Sequence, residues 1–111
     1  MGVSIKVILC SLTPISDYAD AAPSGDNPPP GASLKLIQST RRPPAQILEL
    51  NAWIKKYAAS VGAVYADYFS AVVDGSGMLK EGFSGDGLHP NKQGYALMAP
   101  VAQAAIEKAL K

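Results

Sequence analysis

The sequence has little of what several functional classes require. It contains a single cysteine, which excludes an internal disulfide and a thiolate metal cluster. Charged residues make up 17% of the chain and the formal net charge is +1, so strong electrostatic binding to nucleic acid or to an anionic membrane surface is not expected. No apolar run is close to the roughly 20 residues of a membrane-spanning helix. A chain of 111 residues that is 48% hydrophobic is expected to fold as one domain at most.

The first apolar run, Ile5 to Leu12, predicts a β-strand. The run is nearly continuous and ends at Thr13 and Pro14, which is typical of a strand buried on both faces of a parallel sheet. It resembles a secretory signal peptide only in outline, because it is short and Lys6 lies inside it. We therefore predict a strand and no signal peptide.

Residues 13–44 are predicted to form a long connection. Three consecutive prolines followed by glycine are incompatible with a helix or an inner strand. Connections of this length usually have a function or pack over the rest of the domain. Seven of the nine prolines lie in this segment, namely Pro14, Pro23, Pro28, Pro29, Pro30, Pro43 and Pro44.

A helix is predicted from Pro44 to about Gly62, because apolar side chains recur every three or four residues. Proline suits the first turn of a helix and glycine suits its exit. Ala63 to Phe69 then predicts a second strand, rich in aromatic and β-branched residues. A strand, a helix and a strand in this order form a parallel βαβ unit. The apolar stripe of the helix consists of Ile47, Leu50, Ile54, Tyr57 and Val61.

A glycine-rich surface loop and a last helix complete the predicted elements. The loop contains five glycines between Asp74 and Gly87, and loops at the end of a parallel sheet are where functional sites are built. The last helix is predicted to begin after Pro90, with Asn91 as its cap, to bend at Pro100 and to bury a broad face. That face consists of Leu97, Met98, Val101, Ala102, Ala105, Ile106 and Leu110.

The segment from Asp86 to Asn91 is the strongest candidate for chemistry. His89, the only histidine, follows Asp86 by three residues in a turn that contains Pro90. At this spacing the carboxylate can accept a hydrogen bond from one ring nitrogen, which leaves the other nitrogen free to take a proton from a nucleophile. The pair corresponds to two members of a catalytic triad.

This segment, followed by Gly94, Tyr95 and an apolar helix, resembles the C-terminal half of the SGNH hydrolases, the GDSL-type esterases and lipases. The resemblance implies a flavodoxin-like three-layer α/β sandwich, of which residues 1–111 form a single partial domain. It implies that His89 is a general base and Asp86 its orienting acid, acting on carboxylic esters such as acetylated sugars, short acyl esters or lipids. Further similar segments are Ile5 to Thr13, Arg42 to Pro44, Asn51 to Ile54 and Ala66 to Phe69.

Of the four sequence blocks that mark this family, only the last is present. The Gly-Asp-Ser serine, the oxyanion-hole glycine and the Gly-x-Asn-Asp asparagine are not found in the chain. The tripeptides that start at Gly25 and Ser84 look similar, but neither follows a first strand at the start of a sheet. Loss of the serine from a serine hydrolase costs about 10⁶ in turnover, so the isolated chain is expected to be inactive.

Several alternatives remain open at this point. Ser11 or Ser84, or a residue of a neighbouring subunit, is a candidate replacement nucleophile. A metal site made from His89, Asp86 and Asp67 offers three ligands at most, and we expect neither a metal nor a cofactor.

Other conspicuous residues are expected to be structural. Trp53 and Tyr57 are expected in the core, and Cys10 is expected to be a buried hydrophobe. Arg41 and Arg42 are expected to form a solvated surface pair. Sheet packing is expected of Tyr65, Tyr68 and Phe69.

The predicted elements leave apolar surface without a partner. The family's sheet has about five strands, whereas two are predicted here, so a sheet face and two strand edges lack neighbours. We expect the chain to form a homo-oligomer that covers this surface, either as part of a complemented esterase or as a non-catalytic module.

Overall fold

Two short parallel strands form the centre of the fold, and helices pack on them. The computed structural model describes residues 5–20 and 35–111. The predicted α/β class and the βαβ unit are confirmed. The elements are β1 (Ile8–Cys10), α1 (Pro44–Val61), β2 (Val64–Ala66), α2 (Tyr68–Val72) and α3 (Lys92–Ala109).

The strands pair in register and carry a helix on each face. Ile8 is opposite Val64 and Cys10 is opposite Ala66 in the parallel ladder. Helices α1 and α3 both contact β1 and β2 but make no comparable contact with each other. Since a single helix is wide enough to cover a two-stranded sheet, the two helices lie on opposite faces.

Both strands are shorter than the sequence predicts. The predicted strand from Ala63 to Phe69 ends at Ala66, because the carboxylate of Asp67 accepts the backbone N–H of Ser70 at 3.1 Å and caps a new helix, α2. Tyr68 and Phe69 therefore belong to a helix and not to the sheet. With a partner of only three residues, β1 is short as well.

The ends of α1 agree with the prediction. The helix begins at Pro44, and Gly62 adopts a left-handed conformation with φ of 75° after its last residue. The N–H of Gly62 bonds to carbonyl groups of the last turn, which satisfies groups that a helix end otherwise leaves unpaired.

The face that α1 buries differs from the predicted stripe. Ile47 and Ala58 are buried, but Trp53 is 60% exposed and Tyr57 is 46% exposed. Their rings stack on each other with centroids 5.1 Å apart. The prediction that this pair lies in the core is wrong, because with only two strands the sheet is too narrow to cover the whole apolar width of the helix.

Helix α3, like α1, buries less of its apolar surface than the sequence predicts. The side chain of Asn91 accepts the N–H of Gly94 at 3.0 Å and caps α3 as predicted, and the helix continues through Pro100. Only small residues are buried against the sheet, notably Ala105 and Ala109, while Ile106 remains 49% exposed. The buried face is narrower than predicted, because three of its seven residues are exposed, namely Leu97, Ile106 and Leu110, and three more are only half-buried.

Cys10 is exposed and not buried as predicted. It ends β1, which has no second neighbouring strand among the described residues. A residue at the end of such a strand is accessible from the free edge, so the apolar character of the run does not ensure burial.

The long connection contributes to the core on the side of the glycine loop. Pro14, Ile15 and Ser16 are buried, and the carbonyl of Ile15 accepts the N–H of Leu79, whose side chain is fully buried. The connection therefore packs over the fold at Pro14 to Ser16, whereas residues 35–43 are half-buried or exposed. The remaining prolines of the predicted connection, Pro23 and Pro28 to Pro30, lie outside the described residues.

A buried amide joins α1 to the end of β1. The Asn51 side chain is almost fully buried, its Oδ1 accepts the N–H of Leu12 at 2.7 Å, and its Nδ2 donates to the carbonyl of Leu12 at 3.0 Å. This two-point contact replaces a sheet neighbour for the backbone of Leu12.

We expect Asn51→Leu to lower the free energy of unfolding by about 2 kcal/mol, because it leaves two backbone groups of Leu12 without partners. Gln46→Leu makes the same chemical change at an exposed position of the same helix and is expected to change stability by less than about 0.5 kcal/mol. Urea unfolding followed by circular dichroism measures both variants. Equal stability of the two variants would contradict this role of Asn51.

Candidate active site

Asp86 and His89 are in direct contact in the loop between α2 and α3. The Nδ1 atom of His89 lies 2.7 Å from Oδ2 of Asp86, which is the distance of a short charge-assisted hydrogen bond. The other carboxylate oxygen, Oδ1, accepts the backbone N–H groups of Leu88 and His89, each at 2.8 Å. The carboxylate therefore organises the turn that returns the imidazole to it.

Ser84 supports this turn from within the loop. Its hydroxyl donates to the carbonyl of His89 at 2.7 Å and accepts the N–H of Gly87 at 3.0 Å. Ser84 and Pro90 also face each other in a single antiparallel bridge. The loop around Asp86 is thus closed at both ends by backbone contacts.

The hydrogen bonds keep Asp86 ionised. The imidazole of His89 and the backbone N–H groups of His89 and Leu88 together hold the pKa of the Asp86 carboxyl far below its ordinary value, against a smaller opposing effect of partial burial. An ionised carboxylate next to Nδ1 selects the tautomer with the proton on Nδ1. The side chain of His89 is 75% exposed, so Nε2 is accessible to a partner group.

The start of α3 is held against the same loop. The N–H of Asn91 donates to the carbonyl of Phe83 at 2.8 Å, and its Nδ2 donates to the carbonyl of Gly82 at 2.9 Å. A side chain at Gly94 would lie 2.9 Å from the Phe83 carbonyl oxygen, so this close approach of helix and loop requires glycine. The Gly-Tyr pair singled out in the sequence therefore has a packing reason at Gly94.

The two serines considered as replacement nucleophiles have other bonds. Ser11 is buried, and its Oγ accepts the N–H of Phe69 at 3.0 Å, which joins β1 to α2. Ser84 bonds to the backbone of the loop. Within residues 5–20 and 35–111 neither hydroxyl forms a hydrogen bond with the ring of His89.

Asp67, the third ligand of the considered metal site, is the cap of α2 and bonds to Ser70. In the described part of the chain no three His, Cys, Asp or Glu side chains are grouped as a metal site would require. Among the same residues, no helix has both the length and the hydropathy of a membrane span.

A polar cleft of about 310 Å³ adjoins Ser84. Its lining includes Tyr18, Asp20, Lys80 and Glu81. A groove of about 520 Å³ lies at the amino ends of the two strands, and no residue of the loop from Ser84 to Asn91 lines it. Neither Asp86 nor His89 lines this cleft, which reaches their loop at Ser84 and Gly85.

Gly87 makes the turn between the two residues. Its φ is +81°, and a Cβ atom there would clash with the carbonyl oxygen of Ser16. Gly77 has a similar φ of +84°, but apart from Gly77 itself and its two chain neighbours no described residue has an atom within 4 Å of the place that its Cβ would take. Substitutions at the two positions can therefore be compared to distinguish the energetic cost of a positive φ from the cost of steric crowding.

We expect Gly77→Ala to lower the free energy of unfolding by about 1 kcal/mol, the cost of a left-handed conformation for a residue with a side chain. Gly87→Ala has the same cost and is expected to lose a further 1 to 3 kcal/mol, roughly, because the backbone of Ser16 has to move. Thermal or urea unfolding of the two variants checks the difference. Equal losses would show that the approach of Ser16 to Gly87 is not tight.

Two solved structures from Bacteroides are similar to this chain. A protein described as a candidate acylhydrolase from Bacteroides fragilis is 33% identical, with a TM-score of 0.69, and the match covers 96% of this chain and 44% of that one. A GDSL-like lipase from Bacteroides thetaiotaomicron is 31% identical, with a TM-score of 0.67, and the match covers 95% of this chain and 44% of that one. The comparison with curated proteins gives no match. This chain thus spans less than half the length of either solved relative.

The sequence model of one family matches most of the chain, from residue 5 to residue 97. The α/β fold agrees with the two solved structures, and the resemblance noted at Asp86 to Asn91 lies inside the matched range. The chain belongs to the GDSL-like lipase/acylhydrolase family.

Proposed function

We propose that this chain provides the general base and the orienting carboxylate of a carboxylic ester hydrolase of the serine type. The 2.7 Å contact between Asp86 and Nδ1 of His89, with the imidazole exposed on its other side, is the observation that supports this role. Family membership supports the reaction class, acyl-ester hydrolysis.

The geometry suits two proton transfers. In the first, Nε2 of His89 takes the proton of a serine hydroxyl as its oxygen attacks the ester carbonyl, and then gives that proton to the leaving alcohol. In the second, Nε2 takes a proton from water, which attacks the acyl-enzyme, and returns it to the serine. Asp86 stays ionised in both and stabilises the imidazolium that forms each time.

The attacking serine and the oxyanion hole are proposed to come from polypeptide beyond these 111 residues. The chain contains no Gly-Asp-Ser or Gly-x-Asn-Asp block, and it matches 44% of the length of each solved relative. The chain is then a partial α/β domain that is inactive alone. Its substrates after complementation are esters with an accessible acyl group, such as acetylated sugars, short acyl esters or lipids.

We expect turnover of p-nitrophenyl acetate when this chain is mixed with the part of the Bacteroides fragilis relative that it does not match, and none from either piece alone. In the mixture, His89→Gln is expected to lower kcat by at least about 10², because general base catalysis is lost. Gln93→Ala changes an exposed residue of α3 and is the matched control, with activity expected to be unchanged.

Each other outcome contradicts part of the proposal. Turnover by the chain alone that requires His89 would contradict the missing nucleophile, and Ser11→Ala, Ser84→Ala and subunit mixing would then locate the attacking group. Turnover in the mixture that is unaffected by His89→Gln would contradict the role of His89. A mixture that forms a stable complex without turnover would favour the alternative of a non-catalytic module.

We further propose that the isolated chain forms homo-oligomers through the exposed apolar side chains around the groove at the amino ends of the strands, which Lys6, Lys108 and Lys111 also line. Ile5 is 80% exposed, Tyr57 46% and Val61 55%, and all three line this groove of about 520 Å³. Exposed apolar side chains are stabilised by a partner that covers them, and a second copy brings the same side chains.

We expect sedimentation equilibrium of the chain at micromolar concentration to show a dimer or larger oligomer. Val61→Lys replaces one of these apolar side chains with a charge and is expected to shift the chain toward the monomer. Ala59→Lys adds the same charge on the exposed opposite side of α1 and is expected to leave the mass unchanged. A compact, stable monomer of the unmodified chain would refute self-association.

A further inference from the structure

The hydrogen bonds that join Asp86 to His89 are all local. Every side-chain bond of Asp86 and Ser84 is made within the segment from Ser84 to His89. Such a turn can form without the rest of the fold, but local bonds do not determine how the turn is held against the sheet. That requires bonds to distant segments.

Two long-range bonds hold the peptide groups on either side of Gly87. The N–H of Ser16 donates to the carbonyl of Gly87 at 2.8 Å. The side-chain Nε2 of Gln38 donates to the carbonyl of Asp86 at 2.9 Å. Both donors belong to the long connection, which passes over this loop.

Gln38 is itself held in one orientation. Its backbone N–H donates to Oδ1 of Asp17 at 2.7 Å, and the same carboxylate binds the N–H and hydroxyl of Ser39. The guanidinium of Arg42 donates to the side-chain Oε1 of Gln38 at 3.1 Å. Since Oε1 has a donor and Nε2 has an acceptor, the amide is engaged at both ends.

Gln38 also lies against the turn in space. Its Cγ atom is 3.3 Å from the position that a Cβ atom of Gly87 would take. The positive φ of Gly87 directs the chain so that His89 returns to the carboxylate of Asp86. A residue that packs on Gly87 and bonds to the preceding carbonyl therefore limits the conformations of this turn.

We propose that Gln38 is a positioning residue for the pair of Asp86 and His89. It holds the peptide between Asp86 and Gly87, so that the carboxylate remains on Nδ1 of His89 and Nε2 remains turned outward for proton transfer. The catalytic part of this inference rests on the proposed function, whereas the effect on the imidazole does not.

The test measures the tautomer of the imidazole. Because the chain has one histidine, its ring ¹⁵N signals are assigned without ambiguity. Asp86→Asn is expected to remove the preference for the Nδ1–H tautomer at about pH 9, above the ordinary titration range of histidine. Gln38→Met has a similar size without a donor and is expected to lower the Nδ1–H fraction in the same direction.

Two further variants separate positioning from general stability. Tyr18→Phe removes another long-range bond, the 2.6 Å bond from the Tyr18 hydroxyl to Asp74, and is expected to leave the tautomer unchanged. Arg42→Met acts on the exposed far end of the Gln38 amide and is expected to cause a smaller shift than Gln38→Met. If Gln38→Met does not fold by circular dichroism, Arg42→Met still decides the matter.

An unchanged tautomer in folded Gln38→Met, or in Arg42→Met if Gln38→Met does not fold, would overturn the inference.

In the complemented esterase, Gln38→Met is expected to lower kcat about 10-fold with KM unchanged, since misplacement of a reacting group slows chemistry more than binding. A tautomer shift without any esterase activity in the mixture would leave the positioning role intact and refute the proposed function. Esterase activity that depends on His89, with no tautomer shift, would refute the positioning role alone.

Discussion

The contact between the carboxylate of Asp86 and the imidazole of His89 depends on a turn that only glycine permits at position 87. The φ of Gly87 is positive, and the carbonyl of Ser16 occupies the space that a side chain would need. This approach lets the backbone of the long connection bond directly to the turn. The orientation of the pair is therefore linked to the packing of a segment that lies far earlier in the chain.

The two residues of the pair differ in their surroundings. Asp86 is surrounded by donors that keep it ionised, while His89 is held on one side and open on the other. A group that exchanges protons with a partner requires this asymmetry, because a fully buried imidazole could not reach the partner and a free one would not keep a single tautomer.

The small sheet explains why so much apolar surface is exposed. Two strands of three residues cover only part of each long helix, and the uncovered side chains include Trp53, Ile106 and Leu110. The solved relatives are more than twice as long as the part that matches this chain. Surface that is exposed in these 111 residues is thus of the kind that further strands or a second copy would bury.

Much of the local structure could be predicted from the sequence. The ends of α1 follow from proline and glycine chemistry, the start of α3 follows from the Asn91 cap, and the spacing of Asp86 and His89 predicts their contact. Each depends on residues within one or two turns of one another. The helix at Tyr68 was not predicted, although Asp67 followed three residues later by Ser70 is a capping signal.

The sequence by itself determined the βαβ order, the Asp86 and His89 pair and the family resemblance, because periodicity, caps and short motifs act between neighbours in the chain. Only the tertiary structure decided that Cys10 and Trp53 are exposed, that Asn51 is bound to Leu12 and that Gln38 reaches Asp86. Burial depends on how many strands are present to cover a face, and long-range hydrogen bonds depend on which segments meet. Neither quantity is contained in the spacing of residues along the chain.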